Sequence, residues 1–272
     1  MTGTVAISDL DQTLVFSTGA LRLTGADADA PRLLCVEVYD AKPLSFVTEP
    51  AARHLLELAE SGSFVPATTR TIEQYQRIHL PGPTPKFALC ANGGRLLRDG
   101  VEDLDFTAAV ADRLASTGAP LAELLDELRR VSDVGGPGSF VRTVRDASDL
   151  FCYAVVDRDA MPQGWVDDLT AFAAERSWGI SVQGRKVYCV PSALTKAAAA
   201  REVADMLGAT RLVTAGDSLL DAGLLDVADA AIRPQHGELA DVGWTRDHVD
   251  VTTASGVLAG EEIAAWLVAG TR

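Results

Sequence analysis

Three short apolar runs in the first third of the chain, residues 5–7, 63–67 and 86–91, each stop abruptly at polar residues, and helix-type patterns lie between them. Strand, helix and strand alternating at this spacing specify a parallel sheet flanked by helices. Such sheets collect their ligands beyond the carboxyl ends of the strands. The residues that stop the runs are therefore the first to examine: Asp9, Asp11 and Thr13 in D-L-D-Q-T, then Thr68-Thr69-Arg70, then Asn92-Gly93-Gly94.

On an extended backbone, carboxylates at i and i+2 point to the same side. Asp9 and Asp11 so placed repel each other, and burial penalises both, so a cation is required beside them. Taken alone, the stretch reads equally well as a strand running into an Asx-type turn. The rest of the chain decides between the two.

Residues 17–31 read as loop, 33–39 and 44–48 as a β-hairpin, and a helix opens at Pro50 and closes at Ser61-Gly62. A further helix is expected over 72–78. The middle of the chain changes character: a helix over 121–131, strands over 140–145 and 150–157, a helix over 162–178, and a hairpin of 180–183 with 186–190. This order is a layered α+β pattern, read as an inserted domain at 99–190, with the core formed by 1–98 and 191–272. Alternation then resumes with a helix at 196–207, a strand at 211–215 ending in Gly216-Asp217-Ser218-Leu219-Leu220-Asp221, a helix to about 227, a strand at 230–232 and an amphipathic stretch at 263–268.

A formal net charge of −14 argues against nucleic acid or an anionic membrane as partner. It is compatible with a phosphorylated substrate if the acids hold a divalent metal, which inverts the local field. The four cysteines stand singly within apolar runs and read as small buried hydrophobes of a reducing compartment. No signal-peptide arrangement opens the chain and no apolar run approaches membrane-spanning length. A cytoplasmic protein, monomer or homodimer, is expected.

Four polar features fall in order at strand or helix ends: Asp9/Asp11, Thr68, Lys196 opening a helix, and Asp217/Asp221. Each alone could be a turn or helix cap. Together they resemble the motifs of the haloacid dehalogenase superfamily of phosphatases: D-x-D-x-T, a Thr or Ser after the second strand, a Lys opening a helix, and G-D-x-x-x-D. The resemblance implies an α/β fold, a three-layer Rossmann-like parallel sheet with an inserted α+β cap. The insert's position and its helix-strand-strand repeat resemble the C2B cap of sucrose-phosphate, trehalose-phosphate and mannosylglycerate-phosphate phosphatases.

It further implies a Mg²⁺-dependent phosphatase using an aspartyl-phosphate. Asp9 would be the nucleophile, Asp11 the acid and base, Thr68 a phosphate contact and Lys196 the charge partner. Asp9, Asp11, Asp217 and Asp221 would surround the metal. Thr69, Arg70, Asn92, Arg142, Arg145 and Lys186 are the substrate-binding candidates, the last three on the cap, and a small phosphorylated sugar or polyol is the expected substrate. The sequence departs from the family pattern at Gln12, Thr69 and Leu220, where Gly, Gly and Asn are common. A phosphomutase of the phosphomannomutase kind, a nucleotide or ribosyl phosphatase, and a non-catalytic phospholigand-binding protein remain as alternatives.

Overall fold

In the computed structural model, which describes residues 3–130 and 139–272, the strand Thr4–Ser8 has a parallel neighbour on each side. It belongs to a five-stranded sheet ordered Val249–Val251, Ala230–Arg233, Arg211–Ala215, Thr4–Ser8, Phe64–Pro66. Parallel sheets are covered on both faces, so their strands are near-continuous apolar runs; Val5, Ala6 and Ile7 are almost fully buried. The register aligns Ser8 with Ala215 on one side and with Pro66 on the other. The three strands end level, so Asp9, Gly216 and Ala67 leave the sheet along one edge.

Leu55 and Leu58 of the helix Glu49–Ser61, and Ile263 and Leu267 of the helix Val257–Thr271, join Ala6 and Val213 in one apolar cluster. Each such side chain contributes about 1.5–3 kcal/mol on full burial. The first of these helices starts as expected: the Thr48 hydroxyl accepts the Ala51 N–H, Pro50 sits in the first turn, and Gly62 closes the end at φ 68. The second is far longer than the 263–268 stretch. It is apolar on most sides, which blurs a 3.6-residue period.

The strand Phe87–Cys90 follows Phe64–Pro66 through the parallel bridge of Ala67 with Leu89. It also pairs with Arg95–Arg98, which turns back onto Val101–Glu102. The chain divides into two compact units, one running to Asp103 and resuming at Lys196, the other Leu104–Thr195. Both boundaries lie five residues later than the 99–190 expected from sequence, the first because the 95–102 hairpin belongs to the first unit's Phe87–Cys90 strand.

Leu33–Tyr39 and Lys42–Thr48 form the expected hairpin around Asp40 and Ala41, both left-handed at φ 51 and 55. Its register shifts on both sides of Glu37, and Val36 and Glu37 are buried in succession where simple alternation would separate them. Cys35, expected to be buried, is exposed on this hairpin; the other three cysteines are buried. The helix expected over 72–78 is a single turn, Ile72–Tyr75. Beyond it the chain leaves the helix to pair with the hairpin, through a Glu37–Ile78 bridge and the His79 N–H donating to the Val36 carbonyl at 2.7 Å.

The second unit is a four-stranded antiparallel sheet ordered Trp178–Gln183, Lys186–Pro191, Phe151–Val156, Val141–Ala147. The helix Leu121–Arg130 packs on the last two strands and Trp165–Ala174 on the first; residue 131 of the expected 121–131 helix lies outside the described residues. The helix expected over 162–178 is shorter because Trp178 already opens a strand. Leu104–Ala115, an additional helix, buries only Phe106 and Val110 and so carries a weak pattern.

Candidate active site

Asp9 leaves its strand with the main-chain N–H still donating to Ala215 at 2.9 Å, which fixes its position against the neighbouring strand's end. Lys196, first residue of the helix Lys196–Leu207, is completely buried. Its ammonium donates to Asp9 Oδ1 at 2.5 Å and to Asp221 Oδ1 at 2.6 Å. A lysine is buried so only when anions hold it.

Asp221 lies in the first turn of the helix Leu219–Asp226 and closes a capping box with Ser218. Its Oδ2 accepts from the Ser218 hydroxyl at 2.7 Å, the Ser218 N–H at 3.0 Å and the Asp217 N–H at 3.3 Å. With both oxygens held by protein donors, this residue orients Lys196 and the 216–218 turn. The turn is built on close approach: a Cβ on Gly216 would overlap the Asp221 side chain, and one on Gly237 would sit 2.7 Å from Asp217 Oδ2.

Asp9, Asp217 and Asp221 bring one carboxylate oxygen each within 4.8 Å of one another. Three acids around one ammonium leave the cluster short of positive charge. Burial pushes Asp9 up to about 7, with Asp221 and Asp11 adding to the rise and Lys196 opposing it. Asp217 is raised well above the ordinary carboxylate range, first by burial and then by Asp9 and Asp221. Lys196 is raised because Asp221 and Asp9 outweigh its desolvation. Asp9 Oδ2 is buried with no hydrogen-bond partner among the described residues. Hard oxygen donors, a deficit of positive charge and an orphaned carboxylate oxygen fit a small divalent cation.

The structure brings the other sequence candidates together unevenly. Thr68 is fully buried at the end of its strand, its N–H on the Leu89 carbonyl at 2.8 Å and its hydroxyl oxygen accepting the Arg70 N–H at 3.1 Å. Thr69 is buried beside it, and Asn92, also buried, takes a left-handed conformation (φ 57) with its N–H on the Thr68 carbonyl at 2.9 Å. Arg70 turns its guanidinium on protein acids: Nε and Nη2 fork onto Asp11 at 2.7 and 2.8 Å, and Nη1 reaches Glu37 at 2.9 Å. Arg142, Arg145 and Lys186 belong to the second unit. There Arg142 pairs with Asp157 at 2.8 Å, Arg145 stands opposite Tyr153 on the neighbouring strand, and Lys186 lies over the Tyr153 and Tyr188 rings.

Gln12, irregular by comparison with the family pattern, has φ 64, the left-handed region where glycine is free of strain. Its N–H donates to Val15 at 2.8 Å. His236 Nδ1 accepts the Gly256 N–H at 3.2 Å, so Nε2 carries the proton and donates to the Gln12 carbonyl at 3.0 Å. The buried ring also stacks edge-on against Phe16. His236 thus pins the D-L-D-Q-T turn, a role with no sequence signal beyond its place in the loop after the Ala230–Arg233 strand. Glu37 was equally unassigned, though one acid inside the run L-L-C-V-E-V-Y is a visible break in pattern.

No family model matches the chain, and no curated protein sequence does. Solved structures share its fold over nearly the whole chain. Sucrose-phosphatase from Synechocystis sp., solved with sucrose and phosphate, has a TM-score of 0.62 at 18% identity over 98% of each chain. The C-terminal domain of C. albicans trehalose-6-phosphate phosphatase has a TM-score of 0.57 at 9% identity, covering 98% of this chain and 92% of its own. A subclass IIB sugar phosphatase of the superfamily scores 0.55 at 10% identity over 99% and 100% of the two chains.

Proposed function

We propose that the protein is a Mg²⁺-dependent phosphomonoesterase that acts through an aspartyl-phosphate on a small phosphorylated sugar or polyol. The observation that carries this reading is Lys196, buried between Asp9 and Asp221 while the second Asp9 oxygen has no hydrogen-bond partner among the described residues. A likeness to sugar phosphatases over nearly the whole chain supports the substrate class. Four free cysteines accord with a reducing cytoplasm. The second unit, inserted between Thr68 and Lys196, is read as a cap contributing Arg142, Arg145 and Lys186 to leaving-group recognition.

Asp9 and Asp217 would hold the cation, whose contribution is to neutralise phosphoryl oxygens that carboxylates alone repel. Asp9 attacks phosphorus in line; the new Asp9–phosphorus bond forms as the ester P–O bond breaks. Asp11 gives a proton to the departing alkoxide and later takes one from the water that hydrolyses the acyl phosphate. Lys196 opposes the rise of Asp9, favouring its ionised form, and offsets charge on the transferring group. Thr68, fixed at the sheet edge, orients a phosphoryl oxygen.

The test is a broad panel of phosphorylated metabolites assayed for phosphate release with Mg²⁺. Asp9→Asn, which keeps size but removes the nucleophile, is expected to lose roughly 10³-fold or more in kcat. Panel-wide silence of the natural chain, or equal turnover by the variant, would sink the proposal. Transfer of phosphate between sugar hydroxyls with little net release would select the phosphomutase reading instead.

A further inference from the structure

The hairpin Leu33–Tyr39/Lys42–Thr48 brings in an acid that the proposed chemistry does not use. Glu37 is 2% exposed, and a buried carboxylate is retained only with partners that repay its desolvation. It has three. Arg70 Nη1 donates to Oε1 at 2.9 Å, Arg77 Nε approaches Oε1 at 3.3 Å, and the Ser45 hydroxyl donates to Oε2 at 2.6 Å. Burial pushes Glu37 up, yet the hydrogen bonds from Arg70 and Ser45 and the charge of Arg70 bring it below the ordinary glutamate value.

The local backbone is shaped for this contact. A register shift on each side of Glu37 marks a bulge, the device by which a strand re-aims one side chain. Ser45, its hydrogen-bond donor, is also its partner across the hairpin. The single turn Ile72–Tyr75 ends so that Ile78 and His79 can pair with Glu37 and Val36. Arg70 Nη1 is consequently held from two sides, with the Gln74 carbonyl its second acceptor at 3.4 Å.

Arg70 spends its remaining donors on Asp11. Its fork engages both carboxylate oxygens, the geometry that fixes a carboxylate most firmly. Glu37 takes one arm of the guanidinium and part of its charge. We propose that Glu37 is a positioning residue for Asp11: acting through Arg70, it fixes where the acid stands. This rests on the phosphatase reading, and it assigns a task to the hairpin and to Arg70, which binds the two protein acids.

Leaving-group dependence tests it. Departure of p-nitrophenolate needs little protonation, whereas an alkoxide needs a general acid, worth about 10²–10⁴ in rate. The natural chain and Glu37→Gln are compared on p-nitrophenyl phosphate and on a primary-alkyl phosphate hydrolysed by the natural chain, with KM and kcat separated. The expected result is a loss of kcat about tenfold larger on the alkyl ester than on the aryl ester, with KM little changed. Equal losses on both esters by an active enzyme would mean a purely structural Glu37 and overturn the inference alone. A natural chain that releases phosphate from neither ester overturns the phosphatase reading and this inference with it. If Glu37→Gln does not fold, Ser45→Ala, which removes only the hydroxyl on Oε2, carries the same comparison with the same sign.

Discussion

Lys196→Met is expected to lower stability by about 3–5 kcal/mol, because it deletes the cation from a buried cluster and leaves Asp9 and Asp221 as unpaired carboxylates. Methionine matches the length of the stem, so loss of packing contributes little. Lys196 is completely buried and Asp221 equally so, which removes the solvent screening that makes surface pairs nearly neutral. Urea unfolding in EDTA checks the value. Lys186→Met is the control: its ammonium lies 5.2 and 5.8 Å from the Tyr153 and Tyr188 rings, and such contacts are worth about 0.5–1 kcal/mol. A Lys196 variant as stable as the Lys186 variant would mean that the charge cluster is not what holds the sheet edge together. Turnover of Lys196→Met should fall roughly 10³-fold, since in the proposed mechanism the residue both favours the ionised nucleophile and neutralises the transferring group.

The second large effect is a stability that falls as pH rises without a divalent cation, with the cation opposing that fall. Asp9 is raised from 3.8 to about 7, and Asp217 is raised as well. A carboxyl whose folded value lies above its unfolded value binds more protons when folded, so stability falls as pH rises between the two values. Without metal, the melting temperature should therefore decline between about pH 4 and 7, with Asp9 alone accounting for up to about 4 kcal/mol, and level off above. A cation that binds only the folded, ionised site stabilises by about 2.7 kcal/mol at a hundredfold excess over its Kd. Its effect should grow with pH over the same window and shrink in Asp217→Asn. Thermal scans in EDTA and in Mg²⁺ at several pH values measure both slopes; a Mg²⁺ shift independent of pH would contradict the assignment.

Much of the sheet edge was legible because its rule is local. A buried parallel strand is a short apolar run, and the polar residue that follows it marks the sheet edge, so Asp9, Thr68 and Asp217 could be placed from sequence together with the starts of Lys196–Leu207 and Arg211–Ala215. What was hidden depended on partners distant in the chain. Nothing near Gln12 says that His236, 224 residues away, will hold its carbonyl. Residues 72–78 have helical pattern, but pairing of Ile78 and His79 with the hairpin overrides it after one turn. The acceptors of Arg70, Asp11 and Glu37, lie 59 and 33 residues upstream, and the bulge that turns Glu37 inward has no sequence signature.

The covalent role of Asp9 is tested most directly by acid-quenching the working enzyme during turnover of its best substrate with Mg²⁺ and mapping phosphoryl groups by mass spectrometry. The proposed mechanism predicts one phosphoryl group on the peptide that contains Asp9, lost on treatment with base or hydroxylamine and never found in Asp9→Asn. Steady phosphate release with that peptide unmodified at every quench time, under conditions that preserve an authentic acyl phosphate, would contradict it.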